Sequence, residues 1–199
     1  MSGPFLGVRR EILEMFLESW VHQMYLGKLC NFGDDRNIST NVLRLGFPSL
    51  YIGESIVYTD APEQFKVWRV QQTRWSRSAN RETIISIPFL HKIPMWVQLD
   101  MIYQFMFPFI LFIILISIAS RTLSIMWTEG FVVGLISLMP YITIVLTLNW
   151  LFRGLYGYLS YNDKWYITSP LYIVLHYFVL LPIKFYALVT PLVNEWGTK

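Results

Sequence analysis

The chain has 199 residues, 54% of them hydrophobic and only 15% charged, with a net charge of +3. That is more apolar than an average soluble domain, and so weak a positive balance argues against a nucleic-acid partner. Cys30 is the one cysteine, which excludes an intrachain disulfide. Charge is concentrated before residue 100 and long apolar runs follow it. The asymmetry predicts a soluble-type region joined to a membrane region. Arg and Lys in the first part suit a cytoplasmic face. Met1-Ser2-Gly3-Pro4 lacks the basic start and apolar run of a secretory signal.

Residues 1–98 read as mixed α/β. Ile12, Leu13, Phe16, Trp20 and Met24 recur at helical spacing and predict a helix over 8–25, ended by Gly27. Gly33-Asp34-Asp35 reads as a loop, followed by a short helix over 37–45 with Gly46 as its stop. Residues 49–52 and 55–58 are short, β-branched and aromatic, and read as strands. Asp60 and Pro62 predict the start of a helix running over 63–82.

Residues 83–98 are apolar but interrupted by Pro88, His91, Lys92 and Pro94, and read as an amphipathic segment in the membrane interface. Residues 101–119 are an apolar run of the length one bilayer crossing needs, about 20 residues, and Pro108 within it is tolerable in lipid. A connection over 121–129 leads to a second span over 130–152, bounded by Arg153. The boundaries are thus 83–98 interfacial, 99–152 two transmembrane helices, and 153–190 an interfacial helix region. Hydropathy alone would make 166–190 a third span. His176 and Lys184 within it favour the interface, because a charge in mid-bilayer is costly. Tyr156, Tyr158, Tyr161, Trp165 and Tyr166 read as an interfacial aromatic belt, with lining of a sugar channel as a second reading.

Two segments carry chemistry. Gln71, Arg74 and Trp75 are spaced to share one helix face. Arg can grip phosphate oxygens with its planar fork, the indole can lie against a sugar ring, and the amide can bond hydroxyls. An amphipathic helix that merely buries Trp68 and Trp75 would carry the same spacing. Asp34-Asp35 is flanked by Gly33 and Arg36. A positioned carboxylate can act as general base toward a hydroxyl, although Asp is also common in helix caps. His22, His91 and His176 are scattered and read as packing residues rather than metal ligands. Asn37-Ile38-Ser39 matches a glycosylation acceptor, idle on a cytoplasmic domain.

Taken in order, Gly33-Asp34-Asp35-Arg36, Gln71-Gln72-Thr73-Arg74-Trp75 and Trp196-Gly197-Thr198 resemble the motif series of hyaluronan synthases, processive family-2 glycosyltransferases related to chitin and cellulose synthases. Ser2-Gly3-Pro4, Arg9-Arg10-Glu11 and the run from Ser76-Arg77-Ser78 to Arg81-Glu82 extend the likeness over nearly the whole chain. The resemblance implies that 1–82 is the C-terminal part of a GT-A-like α/β catalytic domain, with 191–199 the start of a gating loop. It implies Asp35 as general base, with Asp34 and Arg36 shaping its surroundings. Cys30, Trp75, Ser2, Gly3 and Pro4 would lie at the acceptor. Gln71, Arg74, Trp196, Gly197 and Thr198 would lie at the UDP diphosphate. The implied partners are UDP-sugar donors, a growing polysaccharide and the lipid bilayer of the plasma membrane.

The chain contains no Asp-x-Asp, the motif that such synthases use for Mg²⁺ or Mn²⁺. The resemblance therefore reads it as a fragment cut at both ends, inactive alone, with the cation bound mainly by an upstream half. If Asp35 and Trp196 share the cytoplasmic side, the chain crosses the membrane an even number of times between residues 82 and 196, which favours two spans over three. The implied product is hyaluronan from UDP-GlcNAc and UDP-GlcA. A chitin-type product from UDP-GlcNAc alone is the enzymatic alternative, and a non-catalytic membrane partner or pseudoenzyme is the alternative of another class.

Overall fold

The computed structural model describes residues 6–30, 33–50, 52, 57–161 and 169–193. Ser2, Gly3, Pro4, Trp165, Tyr166, Trp196, Gly197 and Thr198 lie outside them. The chain divides into two compact units, Met1–Met106 with Ile183–Lys199, and Phe107–Pro182.

In the first unit the helix expected over 8–25 is two short ones, α1 (Arg10–Glu14) and α2 (Leu17–Val21). The chain breaks at Phe16, φ −133°, and the break buries its ring to 6% exposure. Periodicity marked the apolar face but not the kink that tucks one ring inward. A hairpin follows, β1 (Met24–Tyr25) antiparallel to β2 (Lys28–Leu29). Leu26 and Gly27 both take positive φ at its tip, as a two-residue turn between right-twisted strands requires.

Helix α3 spans Asp34–Arg44, so the acidic pair stands in the first turn of a helix rather than in a loop. Carboxylates are favoured there, where unpaired N–H groups and the helix dipole present positive charge. Ser49, Leu50, Ile52, Val57 and Tyr58 carry no strand. A strand is held by its ladder partners, and β1–β2 is the sole sheet among the described residues. Among the described residues the first unit is thus mainly helical, and the α/β expectation is met there only by that hairpin. Helix α4 spans Phe65–Ser86. It starts after Gln64 without a side-chain cap, so Asp60 and Pro62 precede it rather than open it.

A 3₁₀ segment, Ile87–Lys92, links α4 to α5 (Met95–Glu129), which continues unbroken past Pro108 and through residues 121–129. At about 1.5 Å per residue its 35 residues reach roughly 52 Å. Gly130, φ 100°, ends it. Then come α6 (Phe131–Ser137), α7 (Met139–Asn149), a π-helical turn (Trp150–Leu155) and α8 (Tyr156–Tyr161). Helix α9 (Ser169–Leu175), a π turn (His176–Leu180) and α10 (Leu181–Val189) complete the described chain. His176 stands among the rings of Phe107, Tyr172 and Tyr177, which is a packing role.

Three helical stretches are long and apolar enough to cross a membrane by length and composition: Met95–Glu129, Phe131–Leu159 and Pro170–Val189. Their side chains are largely exposed, with Ile113 at 63% and Val132 at 67%. Lipid is the solvent in which such surfaces are at rest.

Candidate functional site

The interior of the first unit is unusually polar. Beside Phe16, Cys30 and Ile93 it buries Gln23, Asn37, Ser39, Thr40, Arg77, Ser78, Arg81, Glu82 and Ser86. Buried polar groups are costly unless partnered, and here most have partners, with the Asn37–Glu82 pair joining helix α3 to helix α4.

Three contacts set that packing. Gly33, the residue before α3, lies against Ser78, Asn37 bonds Glu82, and the Arg44 guanidinium sits 5.2 Å above the Phe89 ring. Each pair is 45 residues apart in sequence, so α3 and α4 run side by side in the same direction. Gly33 has φ 101°, and a Cβ there would overlap the Ser78 hydroxyl. Glycine at this position serves both the left-handed turn and the close approach.

On α4, Gln71, Trp75, Ser78 and Glu82 fall at steps of four, three and four and form one stripe. Ser78 and Glu82 hold α3. The part of the stripe one turn earlier, with Arg74 beside Trp75, therefore points past the N-terminal end of α3. Asp34, Asp35 and Arg36 form the first turn at that end. Trp75 thus stands one turn before the Ser78 level on α4, and the Asp34–Arg36 turn begins at that level on α3. Trp75 is 52% exposed, so it is not the buried core residue of a merely amphipathic helix. Trp68 stacks on Phe65 at 5.6 Å. Gln71 and Arg74 are half-buried.

Asp35 is half-buried, and its carbonyl accepts a bond from the Ser39 hydroxyl at 2.7 Å. Arg36 reaches Gln104 on α5 at 3.5 Å, and Gln104 in turn donates to Asp100 at 2.6 Å. Arg36, Asp100 and Gln104 line a cleft of about 160 Å³ with Ser39, Thr40, Leu43, Glu82 and Met101. Cys30 is buried at 9% exposure, and its sulfur accepts from Arg81 Nη1 at 3.1 Å. Burial pushes its thiol up, against the pull of the guanidinium.

Among the described residues no three of His, Cys, Asp and Glu are grouped to hold a metal ion. The Mg²⁺ or Mn²⁺ implied by the resemblance finds no such ligand set there. Asn37 is 6% exposed and bonded to Glu82, which removes it as a glycosylation acceptor.

Sequence reasoning passed over Gln23, Asn37, Arg81 and Glu82 as site residues. Glu82 accepts from Gln23 at 2.6 Å and from Asn37 at 3.2 Å, and burial pushes its carboxyl up while those amides pull it back. The signal was present: Ser78, Arg81, Glu82 and Ser86 make a polar stripe at helical spacing where a core helix would show Leu or Ile. Arg77 was also missed. It is 7% exposed, donates to the Thr190 hydroxyl from Nε at 3.1 Å and Nη2 at 3.0 Å, and stacks over Tyr186.

A family model described as chitin synthase matches residues 3–198. Hyaluronan synthase 3 of Xenopus laevis is 31% identical over 198 residues, covering 100% of this chain and 33% of that protein. Hyaluronan synthase 3 of Homo sapiens is 32% identical, covering 100% of this chain and 34% of that protein. Hyaluronan synthase 1 of Xenopus laevis is 31% identical, covering 100% and 32%. The chain spans about a third of the length of these curated relatives.

Proposed function

The chain belongs to the chitin synthase family, among the hyaluronan synthase-like family-2 glycosyltransferases, and on that premise we propose that it forms the acceptor side of a sugar-transfer site in a processive membrane synthase. The observation that supports the reading is the parallel pairing of α3 and α4, with Trp75 one turn before the Gly33–Ser78 contact.

In this mechanism Asp35 takes the proton from the acceptor hydroxyl as that oxygen attacks the anomeric carbon of the donor. The bond to the diphosphate breaks and UDP leaves. Arg74 steadies the departing charge, with the positive end of α3 facing the same opening. Gln71 bonds the diphosphate side, and Trp75 lies under the acceptor ring with Ser2, Gly3, Pro4 and Cys30 around it. Asp34 and Arg36 adjust the field at Asp35. Trp196, Gly197 and Thr198 close over the nucleotide. A divalent cation, Mg²⁺ or Mn²⁺, supplies charge neutralisation at the diphosphate when bound by the donor-binding half. Residues 1–82 belong to a GT-A-like catalytic domain in this reading.

The membrane part is an export path for the growing chain. Arg77 on α4 bonds Thr190, just beyond α10, and this supports the end of α10 lying on the catalytic side. Two crossings with the Pro170–Val189 stretch along the interface satisfy that geometry, and the catalytic part then faces the cytoplasm at the plasma membrane.

The product is hyaluronan, made from UDP-GlcNAc and UDP-GlcA in alternation. The matching family description favours a second reading, chitin or a chito-oligosaccharide from UDP-GlcNAc alone. Membranes carrying the full-length protein, given each labelled UDP-sugar singly and then both, decide between them. Polymer only with both sugars is expected. Polymer from UDP-GlcNAc alone overturns hyaluronan, and label incorporation undiminished by Asp35→Asn overturns the general-base role.

A further inference from the structure

Glu82 and Asn37 lie inside the protein, 4% and 6% exposed. Asn37 does not line the cleft beside Arg36 and Gln104, and Glu82 touches only its floor, yet each is tied to an element that bears the site. Both carboxyl oxygens of Glu82 accept from Asn37 Nδ2, at 3.2 and 3.3 Å, and one also accepts from Gln23 Nε2. The Asn37 N–H closes the first turn of α3 on the Gly33 carbonyl at 3.0 Å. Its Oδ1 accepts from Asn41 at 2.9 Å, which fixes the direction of the amide. Asn37 thus grips α4 from the residue that ends the Asp34–Arg36 turn. Glu82 receives it two helical turns beyond Trp75 on the same stripe.

Apolar side chains of equal size would bury as well without the desolvation cost of a carboxyl. They would also tolerate sliding. A hydrogen-bonded pair has a fixed length and direction, and allows one register. Asp35 stands about 160° around α3 from Asn37, and a one-residue slip would turn its carboxyl by about 100° relative to α4 (3.6 residues per turn).

We propose that Asn37 and Glu82 are positioning residues for the transfer step, locking α3 in register on α4 so that the Asp35 turn and the Arg74–Trp75 turn face one another. The proposal rests on the acceptor-side reading above. It separates rate from donor affinity: in that reading the diphosphate lies at Gln71 and Arg74, two turns or more from Glu82 on α4, so loosening the Asn37–Glu82 bond lowers kcat and leaves KM for the UDP-sugar unchanged.

The test is a charge-and-donor exchange in the full-length protein in native membranes. Asn37→Asp replaces the donor by a second buried carboxyl facing Glu82. Glu82→Gln in that background restores one donor and one acceptor with the polarity reversed. Expected for Asn37→Asp is a fall in kcat on the order of 10- to 100-fold, as for other misplaced reacting groups. KM for UDP-GlcNAc and the yield of monodisperse folded protein stay at wild-type levels. The double variant recovers to within about threefold of wild type, the partners being coupled. An unchanged kcat in Asn37→Asp overturns the proposal. So does a double variant that folds yet stays as slow as Asn37→Asp, or a loss that merely follows the amount of folded protein. Should Asn37→Asp not accumulate, Asn37→Ala cuts the link without added charge, and an unchanged kcat there overturns it equally. Asp35→Asn, run in parallel, tests the general-base reading separately: full turnover in it sinks that reading, while the Asn37–Glu82 exchange still reports on the alignment of the two helices.

Discussion

Replacing Gly33 by alanine probes the contact on which the site geometry depends. Alanine at φ 101° sits in a left-handed conformation that costs about 1–2 kcal/mol. The new Cβ would overlap the Ser78 hydroxyl and approach Ser78 Cβ to 3.1 Å. Overpacking of that kind costs on the order of 1–3 kcal/mol, so the sum is about 2–5 kcal/mol. Ser78→Ala in the same background removes the overlapping hydroxyl and returns about 1 kcal/mol of it, leaving the backbone part. Thermal unfolding in detergent of wild type, both single variants and the double variant gives the cycle. A Gly33→Ala protein that melts with wild type refutes the reasoning. A Ser78→Ala effect of the same size in both backgrounds refutes it too, because the two residues would then not be in contact.

Two further outcomes are expected. Burial holds the Glu82 carboxyl above its ordinary value of 4.5. A carboxyl raised by folding contributes stability that is present in full below 4.5 and lost as the pH rises through the raised value. Glu82→Gln does not titrate, so the melting temperature of the variant relative to wild type should climb as the pH is raised above 4.5. A difference flat with pH would contradict a buried, proton-retaining carboxyl. For topology, Cys30 is buried and its thiol pushed up, so Val193→Cys offers the reactive thiol. Impermeant maleimide added to intact cells should leave it unlabelled and should label it after permeabilisation. Labelling in intact cells would put the end of α10 outside and require an odd number of crossings.

The chemistry was more legible in the sequence than the architecture around it. Gln71, Arg74 and Trp75 share a helix face because four-residue spacing in a helix admits little else, and α4 is that helix. The apolar runs after residue 100 announced membrane helices for an equally local reason: length and hydropathy are properties of the segment itself. Segment boundaries were less legible. Asp34-Asp35 has the look of a loop, and only the packing of Gly33 on Ser78 makes it the start of α3. Residues 49–52 and 55–58 have strand composition, but strands form between partners, and composition names no partner.

The ordered series Gly33-Asp34-Asp35-Arg36, Gln71 to Trp75 and Trp196 to Thr198 sufficed, as sequence, to identify the family. That α3 lies parallel to α4, that Trp75 stays at the surface while Arg77 and Arg81 turn inward, and that Asn37 reaches a carboxyl 45 residues away were decided by tertiary structure alone. Helical periodicity says which residues share a face. Which face is buried depends on the element packed against it, and that contact joins parts of the chain with no local relation.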